Sequence, residues 1–190
     1  MTDTKSHATD EDWRLSKESP DEVRAKTAQW SFSIATLKNR VSGPGQSQAV
    51  LQAHLYLDHV ISRMLEENIP APSHLPLDRT GFSQKLQLAA ALALIPDYLT
   101  APVKVVNGIR NKIAHQLEYE VSELDEAKLR STLEKGADLD DDGTQMSFLK
   151  LLQFIVVLTD IARQERAFER LMRVRASANV RVALDKIGPI

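Results

Sequence analysis

The chain has 190 residues and not one cysteine. That excludes disulfides, thiolate metal sites and a cysteine nucleophile, and it suits a reducing compartment. Aromatic residues are scarce, at 5%, while alanine and leucine abound, a balance that favours helix over strand. The most apolar run, Phe148–Ala162, is too short to span a bilayer and contains Lys150 and Asp160. It reads as a buried core helix. The opening MTDTKSHATDEDW has no apolar stretch of the signal-peptide kind. A cytoplasmic protein with no membrane association is therefore expected. Also missing are a glycine-rich phosphate loop, a nucleophile elbow and a clear helix-turn-helix.

The net charge of −2 gives no general attraction to nucleic acid. Charge is unevenly spread, however. From Ser147 onward there are eight Lys/Arg against four Asp/Glu, so that end is basic and the remainder acidic. A basic end can meet phosphate or an acidic partner, or it can be a solvated helix face with internal Arg/Glu pairs.

Helical periodicity and punctuation organise the chain. Residues 1–18 are polar and are expected to form a disordered arm. Ser19, Pro20 and Glu22 signal a helix start. Val23, Trp30, Ile34, Leu37 and Val41 then recur at helical spacing, with Trp30 expected in the core and Trp13 as an anchor for the arm. The SGPG stretch ends that helix. A second helix is expected over about Ser47–Glu67, a proline-rich loop over Ile69–Gly81, and a third helix over about Phe82–Leu94. Thr100 can cap the next helix, which ends near Leu117. Ser122 with Asp125 marks a further start, and a long helix begins near Met146. Only Val174–Leu184 hints at strand. The expected fold class is all-α, an irregular bundle of about five to six helices. Residues 19–172 are expected to form one domain, with a core of about 47–165, and 173–190 a basic extension.

The segment that can carry chemistry is Arg110–His115, RNKIAH. It follows two apolar helices, in the stretch GFSQKLQLAAALALIPDYLTAPVKVVNG. Histidine moves protons near neutral pH, arginine can grip a phosphate with a bidentate fork, and Asn111 can orient either. On an ideal helix Asn111 and His115 lie about 40° apart, whereas Arg110 and His115 lie about 140° apart. One copy is thus a poor isolated site, and two copies across a two-fold axis can pool their groups.

This stretch resembles HEPN domains, and most closely the branch containing the mannitol operon regulator family. There a Phe-x-x-Lys-x-x-Leu-like helix, a short break and an Ile-Arg-Asn-Lys-x-Ala-His helix end follow one another. The resemblance covers about Ser47–Leu117, is loose for the last helix and is absent for the N-terminal one. It implies a HEPN-like bundle with Arg110, Asn111 and His115 as catalytic residues. It implies a metal-independent ribonuclease on single-stranded RNA, of toxin or defence type, working as a homodimer through Arg110–His115 with no cofactor. The alternative it carries is a non-enzymatic transcriptional regulator or interaction module with a protein partner, an antitoxin among them.

Two weaker candidates remain. His54 and Asp58 lie four apart on the second helix beside His59. They can seed a metal site, be ordinary polar positions, or line the same cleft as Arg110 and His115. The loop Asp138–Gly143 places Asp138, Asp140, Asp142 and then glycine as an EF-hand calcium loop does, a weak calcium candidate whose twelfth position is Leu149 rather than glutamate. An acidic turn is the favoured reading.

Overall fold

Capping residues set where the helices begin. The computed structural model describes residues 8–43, 45–134 and 146–187. Within them the helices are α1 (Asp10–Lys17), α2 (Pro20–Thr27), α3 (Ile34–Val41), α4 (Gln46–Asn68), α5 (Phe82–Ala91), α6 (Asp97–His115), α7 (Glu123–Glu134) and α8 (Phe148–Ile187), with a 3₁₀ turn at Pro72–His74. No strand occurs among the described residues. The all-α expectation holds, and the Val174–Leu184 stretch is helical. Asp138, Asp140 and Asp142 lie outside the described residues. No helix among those described is long and apolar enough to cross a membrane.

The chain falls into two compact units. The larger, Trp30–Arg163, has α4 at its centre: α4 packs against α3, α5 and α6, and α6 against α5 and α7. Leu57, Ile61, Met64 and Leu65 of α4 meet a cluster that includes Leu37, Leu86, Leu99, Val106, Leu129 and Leu133. Phe148, Leu151, Leu152, Ile155 and Val156 complete it, as expected for the apolar run. Burying each such side chain contributes roughly 1.5–3 kcal/mol, which offsets the cost of ordering it.

The smaller unit comprises described residues 8–29 and 164–187. Here the expected disordered arm carries α1. The reason is a second capping box: Thr9 Oγ1 accepts from the Asp12 N–H at 3.2 Å, and Asp12 accepts from the Thr9 N–H at 3.0 Å. Asp12 also takes the Arg181 Nε–H at 3.0 Å, and Lys186 lies over the Trp13 ring. Arg24 stacks on Phe168 at 3.8 Å and pairs with Glu165. Ser19 and Glu22 form the expected box, at 2.6 and 3.2 Å.

Three further expectations need correction. The helix expected over Ser19–Val41 is two helices. Between them Ser31 gives its N–H and Oγ–H to Asp160 (3.3 and 2.7 Å), and its carbonyl accepts from His59 Nε2 at 3.0 Å. Side chains satisfy this backbone, so the helix is not needed there. Trp30 is not core: it sits at that break, 42% exposed. Thr100 does not cap α6, which begins at Asp97 after Pro96 and gains an acid in its first turn.

α5 ends in a tight reversal. Ala93 has a left-handed φ of 52°, a position usually taken by glycine. The Ala93 and Leu94 N–H groups close back onto Ala90 and Ala89 at 2.9 and 2.8 Å. Burial of Leu94 and Ile95 holds the turn that sends the chain into α6.

Candidate functional site

Three helices of the larger unit contribute to a groove of about 580 Å³. Its lining includes His54 and Asp58 from α4, Phe82, Ser83 and Lys85 from α5, and Asn107, Arg110 and Asn111 from α6. The α6 residues are spaced i, i+3 and i+4, so one helix face presents all three. His54 and Asp58 are one turn apart on α4 and share a face in the same way.

The polar groups form two sets. In the first, Asn107 Nδ2–H donates to Ser83 Oγ at 3.1 Å, which turns Asn107 Oδ1 towards His54 Nε2, also at 3.1 Å. An acceptor facing Nε2 requires the proton there, leaving Nδ1 as the basic nitrogen. His54 is 8% exposed, and its ring packs on Phe82 at 4.3 Å between centroids. Burial lowers its pKa from the ordinary histidine value, the Asn107 bond opposes this, and the nearby Arg110 charge adds to the lowering. A neutral imidazole at neutral pH follows.

In the second set, Lys85, only 5% exposed, donates to both Asp58 oxygens at 2.9 and 3.1 Å. Each charge removes the need for a counter-ion on the other. Arg110, by contrast, meets no carboxylate among the described residues. Its Nη1–H donates to Asn111 Oδ1 at 3.2 Å. Neighbours on an ideal helix lie about 100° apart, but the long, flexible arginine curls across that arc.

His115 stands apart. It is the last residue of α6, exposed, and not in the groove lining. One chain therefore gathers Arg110, Asn111, His54 and Asp58, and leaves His115 one turn beyond Asn111. Asn107 and Lys85 were not among the site residues expected from the sequence, although Lys85 is the lysine of the Phe-x-x-Lys-x-x-Leu pattern. The signal for Asn107 was its spacing before Arg110 and Asn111, and for Lys85 its place among Phe82, Leu86 and Ala89 on a buried face. The trio His54, Asp58 and His59 does not form a metal cluster: their side chains bond to Asn107, Lys85 and Ser31 respectively. No group of three potential His, Asp or Glu ligands converges among the described residues.

The end of α6 is tied to the start of α7. Lys112 Nζ–H donates to Asp125 at 2.8 Å, Ser122 donates through both N–H (3.2 Å) and Oγ–H (2.6 Å), and the Tyr119 hydroxyl donates to the same carboxylate. Burial works against a charged Asp125, but the bonds from Lys112, Ser122 and Tyr119 outweigh it, so its pKa lies well below the usual range. Asp125→Ala should cost roughly 1–3 kcal/mol, since Asp125 is 5% exposed and several donors lose their acceptor. The folded pKa is below the unfolded value of about 3.9, so this stabilisation is present above that pH and is lost as pH falls below it. Urea titrations at pH 7 and pH 3 should show the gap between wild type and variant shrinking at the lower pH.

The basic end is largely matched from within. Arg163, Arg166, Arg173 and Arg181 pair with carboxylates, Arg175 donates to the Glu18 carbonyl and Lys186 lies over Trp13. Comparison with protein-family models, curated proteins and solved structures gave no match.

Proposed function

We propose that this chain is a HEPN-type protein that cleaves single-stranded RNA as a homodimer, without a metal, in a toxin or defence role. The observation that carries the reading is the meeting in one groove of a buried neutral histidine with an arginine that pairs with no carboxylate among the described residues. His54 Nδ1 would take the proton of a 2′-hydroxyl as O2′ forms a bond to the adjacent phosphorus. The P–O5′ bond breaks, and the leaving oxygen takes a proton from an acid. Arg110 and Asn111 would hold the non-bridging oxygens, where charge builds. His115, outside the groove of its own chain, would act across the dimer axis as that acid. The products are a 2′,3′-cyclic phosphate and a 5′-hydroxyl.

The test is labelled single-stranded RNA incubated with the protein in EDTA, with the new ends analysed. Cyclic phosphate ends, absent with Arg110→Ala, support the proposal; intact RNA at high enzyme concentration refutes it. The dimer has its own check. Light scattering at micromolar concentration should give twice the chain mass, and His115→Glu should shift it towards the monomer by placing like charges across the axis. A wild-type monomer removes the pooled-site mechanism.

A second reading, a non-enzymatic regulator or interaction module, has its own support. Leu55, 60% exposed, stands at the groove edge beside the acids Asp58 and Asp78. That mixture suits a protein surface better than phosphate. Intact RNA together with a stable, stoichiometric protein partner would favour it.

A further inference from the structure

A second cavity of about 360 Å³ opens on another side of α4, between it and α3. Only Leu55 lines both it and the groove. Its composition is unusual for this acidic chain. Hydroxyl groups, two aromatic rings, Gln52, His59 and Arg40 line it, without a single carboxylate.

Three properties of the wall select an occupant. The first is aromatic. Phe32 and Tyr56 meet edge to face at 5.1 Å, giving an apolar surface suited to a ring. The second is cationic. Arg40 is exposed at the rim and makes no ion pair or hydrogen bond among the described residues. A guanidinium in that state is a ready fork for an anion. The third is an orphan. Gln52 Oε1 is buried and has no hydrogen-bond partner. Turning the amide over would leave a donor orphaned instead, so either orientation is improved by a ligand polar group reached by a small rotation.

The wall is also held in place. Ser31 is fixed from behind by Asp160, whose charge Arg163 matches, and from the side by His59. The Ser33 hydroxyl caps α3, accepting the Thr36 N–H at 3.3 Å. A preformed cavity of this size matches small molecules rather than a peptide strand.

We infer that this cavity binds a planar aromatic anion of one or two rings: the ring lies against Phe32 and Tyr56, the anionic group meets Arg40, and a polar ring substituent meets Gln52. The anion can be a carboxylate or the phosphate of a nucleoside monophosphate, since Arg40 recognises both. This site is separate from the Arg110 groove and does not depend on RNA cleavage.

Calorimetric titration with 2-naphthoate, the neutral 2-naphthamide and adenosine monophosphate tests it. At least one anion should bind with a dissociation constant below about 1 mM, and 2-naphthamide at least about tenfold more weakly than 2-naphthoate when the carboxylate is the one bound. The tighter of the two anions identifies the source. Arg40→Ala should weaken that anion about tenfold or more, with Arg40→Lys between. Gln52→Glu, which puts an acid into the wall, should abolish binding. Arg110→Ala should leave the affinity unchanged, which separates this site from the groove. Arg40 is exposed, so its variants report on binding even if Gln52→Glu fails to fold. No heat from either anion, or affinity unchanged in Arg40→Ala, overturns the inference.

Discussion

Replacing His54 by alanine should slow RNA cleavage by about 10²–10⁴-fold, the usual loss when a general base is removed. That corresponds to about 3–5 kcal/mol of barrier. Arg110→Ala should cost about 10²–10³-fold, as for other removed charge-stabilising donors. The two should differ in pH behaviour. A base whose pKa is pushed down by burial is already deprotonated below the ordinary histidine value. The acidic limb of the rate profile should therefore fall at a pH below about 6.5 in wild type and move to higher pH in Arg110→Ala, which loses a charge that adds to the lowering. Asn107→Leu removes the acceptor that fixes the Nε2–H tautomer, so it should lower the maximal rate with little change in KM. His54 is nearly buried, so melting curves must accompany the rates. If His54→Gln folds normally and cleaves at the wild-type rate, His54 is a structural residue and the base lies elsewhere.

The second large effect is expected at a residue outside the groove lining. Asp160 is fully buried and accepts from Arg163 Nε–H at 2.8 Å and from the Ser31 hydroxyl at 2.7 Å. Arg163 is itself 5% exposed, with Glu67 as its other carboxylate at 3.2 Å. Burial alone would lower the arginine pKa, but Asp160 and Glu67 outweigh it and raise it. Asp160→Ala takes its closest carboxylate from a buried guanidinium, leaving Glu67, and frees the Ser31 donors. Such breaks cost about 3–5 kcal/mol, a large part of the stability of an ordinary domain. The urea midpoint should drop accordingly, and Asp160→Asn, which keeps an acceptor for Ser31, should lose less. A loss under about 1 kcal/mol for alanine would mean that Glu67 and solvent suffice for Arg163.

How much of this was legible beforehand differs from residue to residue. The apolar registers of α4 and the first half of α8 were plain, because each buries a stripe that repeats at helical spacing. The division of Ser19–Val41 into two helices was not, because its cause is Asp160, 129 positions beyond Ser31. Periodicity carries no information about a partner so distant. The α1 cap was legible in principle, as Thr9 and Asp12 have capping-box spacing, but the polarity of the arm hid it. His54 and Asp58 could be placed as candidates from their spacing. The Lys85 charge that neutralises Asp58, and the Ser83–Asn107–His54 chain that sets a tautomer, needed three helices to be brought together. The basic C-terminal end looked available in sequence, yet most of its cations are engaged by groups that only folding brings near.

α6 carries Asn107, Arg110, Asn111 and His115 on one uninterrupted helix. Asn107 and His115 are therefore separated by about 12 Å along its axis at a fixed angular phase. The helix acts as a ruler with no joint between groove and tip. Whatever spans the two must match that interval, because no bend in the intervening backbone can shorten it. In the proposed homodimer, any tuning of the distance would come from the angle at which a second copy presents its own ruler. Specificity for length would then be written in the dimer geometry, and the RNKIAH segment would supply only the graduations.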